Sequence, residues 1–295
     1  IVITPYRNNG NIDIEKENRL AAQRVMALSL LAKAQGHSFI ERYEPSTITY
    51  YFDQGYKERT ESNYRSYIFS KYKNIDVALL IREFERIWEK ILLTTYNDDI
   101  AEKSRDRYEM ALFYLAYKTV KICFTYEDYW KALKLNLLTK MESTNEVYQH
   151  ITDGTFRKVA GSVVSKLMRE INDSVKNRSH ITLKISICLD YVENIFNHKV
   201  VWGMTNELNV ADMMTDKHIE TFNDAIAMLP PAFYVTNMKF KEVGIRFNVD
   251  NHPESNWTLT GKADFSLGKM SSGERQMLYS LSYVLYHIKN IQSVK

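Results

Sequence analysis

The sequence is poor in chain breakers. Five prolines and ten glycines are spread over 295 residues, which disfavours a strand-and-turn architecture and points to long helices. Two cysteines, Cys123 and Cys188, lie far apart and form no metal spacing. They point to a reducing, cytoplasmic setting. The seven histidines contain no His-x-x-x-His pair, so no metal is expected. No apolar run is long enough to cross a bilayer, and no secretory signal pattern opens the chain; no membrane partner is expected. Charge of one sign is scarce as well. The net charge of +3 is too mild to argue for nucleic acid by itself.

What is present is the balance of a soluble globular protein: 45% hydrophobic and 25% charged residues. The length suits one large or two ordinary domains. Twenty tyrosines should line packing faces with the hydroxyl at the edge.

Periodicity orders the chain into three parts. In residues 1–75, Ile1 to Thr4 reads as a strand, followed by Pro5 and a turn at Asn8-Asn9-Gly10. Asp13 to Gln35 reads as a helix that Asp13 caps and Gly36 ends. Signals are mixed over 37–75, where Thr47 to Phe52 (TITYYF) looks like a strand.

Residues 76–229 read as a helical region. Val77, Leu80, Ile81, Phe84, Ile87, Trp88, Ile91 and Leu92 fall on one helical face, and Arg82, Glu85, Arg86 and Glu89 on the other. Further helices are predicted from about Asp99 to Cys123, over Glu127–Met141, Ser143–Ile151, Phe156–Val175, Ile181–Phe196 and Asp212–Met228. Pro230-Pro231 stops the last.

In residues 230–295 the period changes. Phe233–Phe240, Val243–Val249 and Trp257–Thr260 look like strands, and a helix follows from Glu274 to about Gln292. Its stripe of Met277, Leu278, Leu281, Val284, Leu285 and Ile288 reads as a packing face.

The candidate chemistry sits ahead of that helix. Ser271 and Ser272 supply hydroxyls, and Gly273 lets backbone come close to a ligand. The first turn of a helix carries unpaired N–H groups and a partial positive charge, a combination suited to phosphate. The same residues read equally as an ordinary N-cap.

The run Met270-Ser271-Ser272-Gly273-Glu274-Arg275-Gln276 resembles the signature motif of ABC-type ATPases, written LSGGQ. It looks closest to the SMC, RecF and RecN branch and its bacterial relatives, where Ser-Ser-Gly-Glu forms occur. Met270 takes the Leu place, Ser272 a Gly place and Glu274 the Gln place. The resemblance covers roughly residues 230–295.

It implies that Ser271, Ser272, Gly273 and Glu274 contact the ATP of a second protomer, with Mg, in a dimer of P-loop ATPase heads. The helical region would be the arm or lid insertion, and the work would be on DNA, in repair or in defence against foreign DNA. The fold implied is mainly α: a helical insertion, a small antiparallel sheet and a signature helix belonging to a P-loop lobe.

A phosphate-binding loop, G-x-x-x-x-G-K-[ST], is missing. Gly261-Lys262 and Gly268-Lys269 do not fit it. The apolar-Asp-Glu motif that follows the signature helix in the family is missing too. With Ile1 rather than Met at the first position, an internal piece of a longer ATPase is expected, without bound cofactor and inactive alone. The alternative is a non-catalytic helical module that binds protein or nucleic acid, its Ser-Ser-Gly turn a cap only.

Other candidates are weaker. Arg157, Lys158, Lys166, Arg169, Lys176 and Arg178 form a basic region that could meet DNA phosphates or be a solvated helix face. Lys103, Arg105 and Arg107, interleaved with Asp106 and Glu109, read as a surface salt-bridge face. Asn97-Asp98-Asp99 reads as a cap.

Overall fold

The long breaker-free stretch after residue 13 winds into α1 (Ile14–Ala34). It ends where the sequence says it should. Gly36 takes φ +77°, its N–H donates to the Lys33 carbonyl, and the His37 N–H reaches back to Ala32 at 3.0 Å. This paired closure needs a left-handed residue, which glycine adopts without Cβ strain.

The structure is a computed structural model. It describes residues 7–8, 11–12, 14–41, 43–96, 104–173, 182–196, 207–215, 219–228, 231–242 and 265–292. The strand expected at 1–4, the caps at Asp13 and 97–99, and the strands at 243–249 and 257–260 lie outside those residues. So do Lys103, Lys176 and Arg178.

The fold is mainly helical with a small antiparallel sheet. The chain divides into two compact units. The first holds Ile1–Phe52, Trp202–Leu229 and Phe233–Asn290. Its two-residue strands β1 (Arg7–Asn8) and β2 (Asn11–Ile12) pair antiparallel.

Its main sheet runs β4-β3-β5-β6, with β3 at Tyr43–Phe52, β4 at Glu207–Asn209, β5 at Phe233–Glu242 and β6 at Phe265–Ser266. β3 and β5 are long and rich in aromatic and β-branched residues, as half-buried strands require. Ile48 lies opposite Met238 and Tyr50 opposite Val235, and all four are buried. Pro45 sits at an irregularity of β3, outside the 47–49 stretch that pairs with β4, a place where strands tolerate proline. The sheet is assembled from segments far apart in sequence, since β3 pairs with β4 and β5 in 207–242. α1 packs on β3 and β5 through a face that buries Val25, Met26 and Leu30.

The single helix expected over Asp212–Met228 is two short ones, α10 (Val210–Thr215) and α11 (Phe222–Ala227). Thr221 and Asp224 form a reciprocal capping box that starts α11 afresh, a stronger local signal than the apolar period. The unit's last helix, α12 (Ser272–Gln292), turns its tyrosines inward. Arg24 of α1 lies over the Tyr283 and Tyr286 rings at 4.6 and 5.1 Å. Burial holds the Arg24 guanidinium below its ordinary pKa.

The stripe expected to pack does so only in part. Leu278 and Leu285 are half-buried, but Met277 is 70% exposed, and Leu281, Val284 and Ile288 are exposed as well. The aromatic rings against Arg24 set the rotation of the helix, one step away from the aliphatic stripe.

The second unit spans Asp53–Val201 with Pro230–Ala232 and Ile291–Lys295. It contains α2 (Tyr56–Lys71), α3 (Val77–Tyr96), α4 (Arg105–Thr125), α5 (Glu127–Ala132), α6 (Leu135–Leu138), α7 (Thr144–Thr152), α8 (Gly154–Asp173) and α9 (Leu183–Phe196). Asp76 caps α3, its carboxylate accepting from the N–H groups of Ala78 and Leu79. The predicted apolar stripe is buried except at Ile87 and Ile91, which are half-buried, and the Trp88 indole donates to Thr119 Oγ1 at 3.0 Å.

α4 is the central helix, packed by α3, α5 and α9. That position explains why Arg107 is buried rather than part of the surface face expected of it. Helix Glu127–Met141 is broken into α5 and α6 because Lys134 adopts φ 55°. The two cysteine thiols are buried in this unit, and burial pushes both pKa values up.

Candidate functional site

The Ser-Ser-Gly-Glu turn stands at the junction of the small sheet and α12. After β6, residues Leu267–Lys269 make one 3₁₀ turn. Leu267 is buried beneath it, and the Gly268 N–H donates to Asn237 Oδ1 of β5 at 3.0 Å. This anchors the approach to the helix.

Met270 is extended, and Ser271 becomes the N-cap. Its hydroxyl oxygen accepts from the Glu274 N–H at 3.3 Å. The Glu274 carboxylate accepts from the Ser271 N–H at 3.0 Å and from its hydroxyl at 2.7 Å. The Ser271 hydroxyl, then its N–H, hold the Glu274 carboxyl below its ordinary pKa.

Ser271, Ser272, Gly273 and Glu274 are all exposed. The N–H groups of Ser272 and Gly273 belong to the first helical turn and have no acceptor within the helix. Gly273 has no left-handed φ, and a Cβ built on it meets nothing within 4 Å. Neither backbone strain nor crowding by the described residues calls for glycine there.

A second feature lies wholly inside the helical unit. α3 and α8 pack side by side and frame a groove of about 890 Å³. Five cations line it: Arg86 and Lys90 from α3, and Arg157, Lys158 and Arg169 from α8. At its floor Glu83 is only 1% exposed and carries two arginines. Arg157 Nε donates to it at 2.7 Å and Arg86 at 2.5 Å. The hydrogen bond to Glu83 raises the Arg157 pKa. One buried carboxylate thus fixes two guanidinium groups and leaves the lining with a net positive charge.

Of the six residues of the basic region four are described, and the groove gathers three of them, Arg157, Lys158 and Arg169. The fourth, Lys166, does not line it. Its ammonium lies over the Tyr129 ring at 4.5 Å and 4.0 Å from Glu170. Arg86, Lys90 and Glu83 were not candidates from the sequence. Their only sequence signal is helical spacing with Ile87 and Ile91, and nothing in it indicates that α8 lies alongside.

Among the described residues no cluster of His, Cys, Asp and Glu could hold a metal ion, and no helix is long and apolar enough to cross a membrane. No family model matches the chain, and no curated protein or solved structure matches it.

Proposed function

We propose that the chain is part of an ATP-binding ABC-type ATPase of the SMC/RecF/RecN-like kind, cytoplasmic and acting on DNA in repair or in defence against foreign DNA. Its Ser-Ser-Gly-Glu turn contacts the ATP, with Mg, held by a partner protomer. The carrying observation is Gly273. Glycine disfavours a helix relative to alanine, yet Gly273 has ordinary backbone and open space around it among the described residues. A ligand phosphate arriving from outside, needing backbone approach, explains the residue where internal packing does not.

In this mechanism the Ser272 and Gly273 amides donate to γ-phosphate oxygens. The Ser271 hydroxyl turns its proton from Glu274 to the same oxygens, and the helix N-terminus adds a favourable field. The contribution is electrostatic positioning of the phosphoryl group. The phosphate-binding loop and the acidic motif have no counterpart in these 295 residues, so the mechanism requires both from elsewhere in the assembly.

The gene tests this first: the codons around this stretch should encode G-x-x-x-x-G-K-[ST] before it and an apolar-Asp-Glu run after it. An intact gene with neither sinks the proposal. In the full-length protein, Gly273→Asp should spare ATP binding but cut hydrolysis by on the order of 10²-fold.

The capping box favours a second reading, in which the turn is a helix cap and the chain a non-catalytic binding module. On that reading Gly273→Asp changes stability slightly and nothing else.

A further inference from the structure

We propose that the groove between α3 and α8 binds the phosphate backbone of duplex DNA without regard to sequence. The surface needs no nucleotide, and it stands whether or not the Ser271 turn meets ATP.

The charges are spaced for a polyanion. Arg157 and Arg169 lie roughly 18 Å apart along α8, at about 1.5 Å per residue. Each strand of B-DNA presents a phosphate about every 3.4 Å of helix axis while winding round it, so the cations meet the few phosphates that the strands turn to one side of the duplex. Five cations line the groove. Between them along α8 come Gly161, Ser162 and Ser165, small residues that let a sugar-phosphate backbone come close to the helix.

The hydroxyls of Ser162 and Ser165 are bonded to carbonyls one turn back, which leaves the cations to dominate. Glu83 holds Arg157 and Arg86 in place. Among the described residues, the side chains of Lys90, Lys158 and Arg169 enter no ion pair and are exposed.

The lining also indicates which polyanion. No aromatic residue lines the groove, whereas single-strand sites are built on aromatic stacking platforms. Among the described residues the groove offers no Asn or Gln to read adenine edges, and two of its arginines are already fixed on Glu83. The lining is suited to positioning on phosphates, which is the sequence-independent part of duplex binding.

The test uses the 295-residue chain and a random-sequence duplex of about 20 base pairs, without nucleotide, over a range of salt. Binding is expected at low salt, with log Kd against log salt changing with a slope of magnitude about 4. The variant carrying Lys90→Gln, Lys158→Gln and Arg169→Gln leaves the Glu83 pairs intact. It should lose between two and three units of that slope, at roughly 0.9 per phosphate contact, while circular dichroism shows it folded.

Lys166→Gln should leave the slope unchanged. The proposal is overturned if the duplex does not bind at low salt, or if the triple variant keeps the wild-type slope. Lys166→Gln costing as much as a groove substitution would also overturn it. So would a polyglutamate of equal charge competing as well as DNA, which would mark an acidic-protein surface instead, or a single strand binding as tightly as the duplex.

Discussion

The Ser271 turn and the α3–α8 groove present opposite problems. The turn is four consecutive residues, readable as a motif, and every hydrogen bond it makes is local. The groove has no motif. It joins two helices whose contributing residues lie about 70 positions apart, tied by one buried carboxylate. Chemistry in the turn depends on a ligand from outside, because its own bonds already make a satisfied cap. Chemistry in the groove is built into the fold, because charge is concentrated there before any partner arrives.

The largest expected effect breaks the groove from beneath. Arg86→Gln with Arg157→Gln strands Glu83, a carboxylate only 1% exposed. Leaving a buried charge unpaired costs about 3 kcal/mol or more, read as a fall in the urea midpoint at unchanged m-value. Adding Glu83→Gln should restore most of the loss. If the double variant is as stable as wild type, the carboxylate is not the anchor described.

Next comes the cap. Ser271→Ala should cost about 1 kcal/mol. The Glu274 carboxyl sits below its ordinary value of 4.5 in the folded chain. Its contribution is therefore present above the unfolded pKa and fades as pH falls through the lower, folded one. The gap between wild type and Ser271→Ala should narrow in acid to the part owed to the Glu274 N–H; a gap unchanged with pH would mean that the Glu274 carboxylate plays no part.

Gly273→Ala comes third and has the opposite sign. With open space and ordinary φ, alanine should stabilise the chain by roughly 0.5 to 1 kcal/mol. A loss of stability would show that the chain itself needs this glycine. Smallest is Lys166→Gln, an exposed-pair change expected to stay within about 0.5 kcal/mol.

These contrasts also show how far the sequence could be read. Local rules served where one segment decides. Gly36 closes α1 as its position indicates, and most of the stripe from Val77 to Leu92 is buried. They failed where a neighbour or a competing cap decides. α2 was illegible because its sequence is polar and buries mainly Tyr64 and Ile68. The Thr221 capping box overrode the apolar period of 212–228.

The α12 stripe was assigned to the core on its hydrophobicity, yet Arg24 meets the tyrosines instead. Lys166 and Arg169 are indistinguishable in the sequence, three residues apart on one helix. Only the position of α3 and Tyr129 separates the groove residue from its neighbour.

The central claim is that the turn acts on another protomer's nucleotide, and mixing tests it most directly. Two variants of the full-length protein, one with Gly273→Asp and one with its phosphate-binding lysine replaced, are assayed for ATP hydrolysis separately and together. A composite site should leave each variant inactive alone and restore part of the activity in the mixture, where one intact pairing forms. Full activity of Gly273→Asp by itself, or a mixture no more active than its parts, would contradict it.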